Sequence, residues 1–310
     1  MKILVTGGAG YIGCVLVEML LKAKYQITVL DKFLYSETSL NHLFHFKNLK
    51  VIKGDVSDKH TLNILLKKND LIIPLAAYVG APLCDQDKFN SKIVNFHSMK
   101  FLLDNVSKNQ LIIMPTTNSA YGTGDKNNFC TELSKLNPIS SYAKEKVKVE
   151  KLLFNHSNFI SFRLATVFGM SPRMRIDLLV NDFVYRAVKD ETLVIFEGNF
   201  KRNYIHVRDV SRAFLYGIKN FSSMKNQIFN IGLSNANISK IELAKKIKKH
   251  INGLVIISED FKKDVDQRNY IVSNKKIENK GFKTDYSLDF GIEELIKGFT
   301  HLKRYSNGNV

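Results

Sequence analysis

Residues 6–13 read Thr6-Gly7-Gly8-Ala9-Gly10-Tyr11-Ile12-Gly13, and this stretch decides the fold. It follows Lys2-Ile3-Leu4-Val5, a short apolar run that suits a buried strand. It precedes residues 11–22, whose apolar positions recur with helical spacing. Gly7, Gly10 and Gly13 keep a G-x-x-G-x-x-G pattern. Between a strand and a helix, the first glycine permits a tight turn. The second admits a pyrophosphate to the backbone amides, and the third lets helix and strand pack closely. The N–H groups at the helix start, at Tyr11 and Ile12, then face the anion.

Outward from this turn, strand-like runs at 2–6, 26–31, 50–53, 70–76, 110–115 and 159–164 alternate with helical patterns such as 11–22 and 142–154. The pattern is weaker between residues 31 and 50. The alternation predicts an α/β fold, a Rossmann-type doubly wound parallel sheet covered on both faces. Past residue 165 the regularity fades into loops, a helix over 177–188 and one more core strand over 227–231. The second half is expected to form a smaller, interleaved C-terminal substrate domain. The expected division is 1–165 plus about 203–232 for the dinucleotide domain, and about 166–202 plus 233–310 for the other.

Composition narrows the function. The chain has 310 residues and is 45% hydrophobic, ample for a core. No run of about 18 apolar residues marks a membrane span. Glycines directly after the first strand do not fit a signal peptide. Cys14, Cys84 and Cys130 are odd in number and widely spaced, which suits a reducing cytoplasm and neither a disulfide framework nor a metal site. The net charge of +17 raises the question of nucleic-acid binding. Residues 240–251 argue against it, because Ile241, Ala244, Ile247 and Ile251 share one helical face and lysines fill the other. A positive field that draws in a nucleotide is a further use for this charge.

The second strand ends at Asp31, about 20 residues beyond the glycine turn. A carboxylate there accepts bonds from the adenine-ribose hydroxyls and repels a 2′-phosphate, which favours NAD over NADP. The adjacent Lys32 weakens that repulsion. Asp55 and Val56 close the third strand where an adenine edge would sit. Leu75-Ala76-Ala77 closes the fourth with small residues suited to a buried cofactor.

Tyr142 and Lys146 are i and i+4 and so share a helix face. A free tyrosine, with a pKa of roughly 10, is a poor base at neutral pH. A neighbouring ammonium and a positive nicotinamide ring would both favour its phenolate. Such a base suits removal of a proton from an alcohol. Met114-Pro115-Thr116-Thr117-Asn118-Ser119-Ala120-Tyr121-Gly122 follows the fifth strand. Its hydroxyls fall at the carboxyl ends of the strands, where doubly wound sheets bind ligands. Thr117 there can hold the substrate oxygen, with Thr116 beside the cofactor.

Glycine turn, Thr117, Tyr142 and Lys146, in this order, resemble the extended short-chain dehydrogenase/reductases, the NAD-dependent epimerase/dehydratase group acting on nucleotide sugars. Val94-Asn95-Phe96 is similar to the family's fourth helix, and Arg163-Leu164-Ala165-Thr166-Val167-Phe168-Gly169 to its sixth strand. Arg202-Asn203-Tyr204-Ile205-His206-Val207-Arg208-Asp209 resembles its "RDYIHV" signature, and Phe229-Asn230-Ile231-Gly232 and Arg268 through Phe282 its C-terminal pattern. The resemblance implies that Asn95 belongs to the cofactor site and that Lys146 holds the nicotinamide ribose. It implies that Arg202 and Arg268 grip the substrate diphosphate, for which a planar guanidinium fork is suited. Arg173, Arg175 and Asn181 are expected to line the substrate site, together with Val79, Gly80, Asn118 and Ser119. It also implies a homodimer built on helices near 92–107 and 142–154.

By the same resemblance, Tyr142 takes the proton of a sugar 4-hydroxyl while C4 gives hydride to NAD. The keto sugar is then released, turned over and re-reduced by an epimerase, or dehydrated. Dehydratases of the group carry an Asp-Glu pair after the threonine. Asn118-Ser119 offers no carboxylic acid there. The strings "PTTNSAYG", "GAPLC" and "FRLATVFGMSPRMR" are similar to a subgroup acting on GDP-activated heptoses, some of them 4-dehydrogenases. That implies oxidation first and epimerisation close behind. A sensor that binds the dinucleotide without catalysis is the rival from another class, and the presence of both Tyr142 and Lys146 speaks against it.

Overall fold

The computed structural model describes residues 1–124, 128–259 and 268–301. Among them twelve strands run in chain order: β1 (Lys2–Thr6), β2 (Gln26–Asp31), β3 (Leu49–Lys53), β4 (Leu71–Pro74), β5 (Leu111–Thr117), β6 (Phe159–Leu164), β7 (Thr166–Phe168), β8 (Thr192–Phe196), β9 (Lys201–His206), β10 (Gln227–Ile231), β11 (Asn237–Ser239) and β12 (Val255–Glu259). Seven form one sheet in the order β10-β6-β5-β4-β1-β2-β3. Every neighbouring pair in it is parallel. The doubly wound sheet is thus present.

Side-chain alternation explains why both faces are covered. Ile3 and Val5 enter the core on one face, with Leu20 and Leu21 of the helix Tyr11–Lys22 and with Phe214. Leu4 lies on the other, with Leu62, Leu102 and Val149. Ile73 and Ile72, and likewise Phe162 and Phe159, divide in the same way. A period of two sends alternate residues to opposite faces, so a strand apolar throughout can be buried on both.

The chain order reverses between β1 and β4, which places a crevice beyond their carboxyl ends. The second lobe supplies two small sheets, β11-β9-β7 and β12-β8. Between them the chain returns to the large sheet as β10, paired with β6 from Gln227↔Ile160 to Ile231↔Leu164. The expected division at residue 203 falls inside β9, whose residues pair with β7 and β11. No described helix is long and apolar enough to cross a membrane.

Candidate active site

The crevice holds a cavity of about 590 Å³ lined by both lobes. Its floor is the glycine turn. Gly7 has φ 72°, and a Cβ there would lie 2.5 Å from the Ala76 backbone nitrogen. A Cβ on Gly13 would lie 2.4 Å from the Gly7 carbonyl oxygen. These clearances account for both glycines. Gly10 caps the helix Tyr11–Lys22 and offers no side-chain bond to the amides of its first turn. That end is left to serve an anion.

At one end, Asp31 accepts the Ala9 amide at 2.9 Å and the Phe33 amide at 2.7 Å. Burial raises its pKa, and these amides and Arg173 oppose the rise. Lys32 meets Asp55 at 3.0 Å, and Asp55 also accepts the Ser57 amide and hydroxyl. Val56, Leu75, Ala76 and Ala77 continue the wall. Arg173, expected beside the substrate, lies at this end, its guanidinium carbon 4.3 Å from the Tyr35 ring centroid.

At the other end, Thr116, Thr117, Ser119, Tyr142 and Lys146 line the cavity. The Thr117 hydroxyl accepts the Ser119 amide at 3.1 Å and donates to the Ser119 hydroxyl at 3.0 Å. Arg268 donates to the same Ser119 hydroxyl. Ser140 caps the helix Ser141–Leu153 by accepting the Ala143 amide, which fixes the start of the turn carrying Tyr142. Burial pushes the Tyr142 phenol up to about 12, while Arg175 and Arg268 favour its ionised form. These guanidinium groups were not evident from the Tyr-Lys spacing. Burial pulls Lys146 down to about 8, opposed by Cys84 and Glu145. Arg202 and Arg268 face the cavity from the second lobe, with Val79, Gly80 and Arg175 nearby. Arg175 is paired with Asp177 and reaches the Val79 carbonyl at 3.5 Å.

Three expected contacts, Asn95, Asn118 and Asn181, lie outside the lining. Asn95 sits in a π-turn, Ile93–His97, and brackets the Tyr78 peptide: it accepts its N–H at 2.8 Å and donates to its carbonyl at 3.0 Å. Asn181 accepts the Gly169 amide at 3.0 Å and donates to the Arg175 carbonyl at 2.8 Å and the Tyr11 hydroxyl at 3.3 Å. Tyr11 in turn donates to the Gly169 carbonyl at 2.6 Å. Asn118 is fully buried, and neither amide atom has a partner. Asn95 and Asn181 hold the wall from behind, through Tyr78 and Arg175.

Tyr35, Lys240 and Tyr270 line the cavity without having been expected there. Lys240 had been counted among solvated lysines. It is 3% exposed, and its ammonium donates to the Phe196 carbonyl at 3.0 Å. The available signal was its place at the first position of a helix, behind the Ser239–Glu242 capping box, where a cation opposes the helix dipole.

An uncapped helix end, a glycine turn that admits no Cβ, an aspartate at the end of β2 and small residues at the end of β4 fit an extended dinucleotide. Residues 3–232 match the model of the NAD dependent epimerase/dehydratase family. The chain belongs to that family, and its cofactor is NAD. The low-salt glycan biosynthesis protein Agl12 of Haloferax volcanii is 26% identical over 312 residues, covering 96% of this chain and 97% of its own. The dTDP-D-glucose 4,6-dehydratase of Homo sapiens is 26% identical over 319 residues, covering 96% and 89%. Among solved structures, the UDP-glucuronic acid 4-epimerase of Bacillus cereus, in complex with UDP-glucuronic acid and NAD, superposes with a TM-score of 0.86. It is 24% identical and covers 98% of this chain and 100% of its own.

Proposed function

We propose that this protein oxidises C4 of a nucleotide-activated sugar and releases the 4-keto sugar. The observation that carries the reading is one cavity whose wall joins the glycine turn and Thr117, Tyr142 and Lys146 to Arg202 and Arg268 of the second lobe. NAD, when bound, would supply the hydride acceptor and a positive charge; the residues that would hold it are those of the glycine turn, Asp31 and Lys146. Tyr142 takes the 4-hydroxyl proton, and Thr117 holds the sugar oxygen. Lys146 holds a ribose hydroxyl and adds positive charge. Arg202 and Arg268 bind the diphosphate and fix the sugar against the phenol.

Dehydration needs an acid to protonate the leaving hydroxyl. Neither Asn118 nor Ser119 supplies one, and the Asn118 amide is outside the cavity wall. A second reading is 4-epimerisation, in which the keto sugar stays bound and is reduced from its other face. The same residues suffice for it, and the likeness to a UDP-glucuronic acid 4-epimerase favours it. The similarity of strings to the heptose subgroup makes a GDP-heptose the first substrate to try.

The test is incubation with a panel of nucleotide sugars, following reduced-cofactor absorbance and product mass. Loss of two hydrogens with accumulation of NADH supports oxidation. Unchanged mass with inverted stereochemistry supports epimerisation. Loss of water overturns both, and failure to bind or turn over any nucleotide sugar overturns the substrate class.

A further inference from the structure

Residues 169–177 follow β7 and belong to the second lobe, yet they are fastened to the first. The Ser171 hydroxyl donates to the Tyr11 carbonyl at 2.7 Å, and the Tyr11 hydroxyl donates to the Gly169 carbonyl at 2.6 Å. Asn181 adds a bond to the Arg175 carbonyl at 2.8 Å and one to the Tyr11 hydroxyl at 3.3 Å. Tyr11 is the first residue of the helix Tyr11–Lys22, whose free amides suit an anion. The segment is therefore tied down beside the glycine turn.

Two arginines of this segment go to different parts of the cavity wall. Arg175 pairs with Asp177 and reaches the Val79 carbonyl. Arg173 meets Tyr35 of the first lobe instead. Its guanidinium carbon is 4.3 Å from the centre of that ring, within the range of a cation–π contact. Tyr35 stands four residues beyond Asp31, on the loop that begins where Asp31 accepts the Phe33 amide. Arg173 and Tyr35 both line the cavity, and Arg173 is 4% exposed. So Arg173 is two residues from the anchor on Tyr11, at the anion end of the helix, and touches the loop after Asp31. A guanidinium keeps its charge and is costly to bury. Its place in this wall suits a cavity that receives an anion.

We propose that Arg173 is a cofactor-binding residue, the guanidinium that the second lobe lays on the pyrophosphate of NAD, with Tyr35 holding it in place. The inference rests on NAD as the cofactor and not on which sugar is oxidised. A planar guanidinium fork matches phosphate oxygens, and the glycine turn offers only amides to them. Both lobes then hold the dinucleotide.

The test is NADH and NADPH binding by fluorescence titration for wild type, R173M, R173K and Y35L, with the melting temperature of each. Displacement of bound NADH by ADP and by adenosine is followed on the same samples. R173M should bind NADH about 10- to 100-fold more weakly, the loss expected of a charge-assisted bond. ADP should lose a similar factor, and adenosine, which has no phosphate, should lose none. R173K keeps the charge without the fork and should lose less than R173M. Y35L should also lose less. UDP and GDP should bind the NADH-saturated R173M protein as they bind wild type. Wild-type NADH affinity in R173M overturns the proposal. So does a loss confined to NADPH, which puts the arginine on a 2′-phosphate, or an equal loss with adenosine, which makes its role structural. A loss confined to UDP and GDP returns the arginine to the substrate and overturns it too. If R173M does not fold, wild-type NADH affinity in both R173K and Y35L overturns it. A wild-type protein that binds neither NADH nor ADP removes the cofactor assignment, and the proposal with it.

Discussion

Arg163 and Glu150 form an ion pair inside the molecule, 2.6 Å apart, with each side chain 4% exposed. Glu150 lies one helical turn beyond Lys146 and also accepts from Thr116 at 2.9 Å and Ser161 at 3.0 Å. Arg163 reaches on to the Tyr121 hydroxyl at 3.0 Å, which donates to Asn230 at 2.7 Å. The pair therefore bolts the helix of Tyr142 and Lys146 to β5, β6 and β10. Removing one member strands a buried charge, at a cost of about 3–5 kcal/mol. Glu150→Gln should lower stability by that order in urea unfolding. The double variant Glu150→Leu with Arg163→Met should lose less than the sum of the single losses.

Gly13→Ala places a methyl 2.4 Å from a backbone oxygen that cannot move aside. The helix must retreat from the glycine turn, and its amides retreat with it. NADH affinity should fall at least tenfold, as read by fluorescence titration. Gly253→Ala is the control for a glycine with no neighbour within 4 Å of the added carbon and a φ of +83°. It should cost only backbone strain and leave NADH binding unchanged.

Tyr142→Phe removes the proton acceptor and little volume. NADH should bind as in wild type, and hydride transfer to or from a nucleotide sugar should drop by about a hundredfold or more, in the range expected of a lost general base. Stopped-flow absorbance of the reduced cofactor measures it. Turnover at the wild-type rate would remove the tyrosine from the chemistry.

Arg268→Met leaves the cofactor end intact and removes a guanidinium from the second lobe's wall. A lost charge-assisted bond is worth roughly 1.5–3 kcal/mol, so nucleotide-sugar affinity should fall about 10- to 100-fold. NADH affinity should not change. Calorimetric titration of both ligands against one protein sample separates the two.

Glu294 gives a pH prediction. Burial works against its charge, yet bonds from His206 at 2.9 Å, from Arg208 and from the Met170 amide at 2.8 Å outweigh it and pull the carboxyl to about 2. His206 accepts the Arg208 amide on Nδ1, so Nε2 carries the donated proton. A lowered carboxyl stabilises the fold above its ordinary value of 4.5, and this is lost as pH falls toward about 2. Glu294→Gln should therefore cost roughly 3 kcal/mol near neutral pH. The gap between variant and wild type should close through the acid range, as followed by urea unfolding at several pH values.

The large sheet was legible because a parallel strand buried on both faces writes itself as an unbroken apolar run. Runs 2–6, 26–31, 159–164 and 227–231 coincide with β1, β2, β6 and β10. Run 70–76 overshot β4, whose last residue is Pro74, and β5 continues two residues past the expected Pro115 to Thr117. The second lobe was not legible strand by strand. β7 and β11 have three residues each, too few for a period, and β8 leaves Val194 49% exposed. At the site, the glycine turn, Thr117, Tyr142 and Lys146 stand out in the sequence by local spacing, and they line one cavity. The places of Arg173 and Lys240 could not be read, because they depend on how the second lobe folds back over the first.

β10 has a consequence for biosynthesis. It pairs with β6 across an intervening stretch that belongs mostly to the other lobe. Until residue 231 has left the ribosome, the β6 margin stands unzipped, a template for any passing strand. Cutting the gene after residue 165 would leave that margin open for good, so a fragment ending there should aggregate where the whole chain does not.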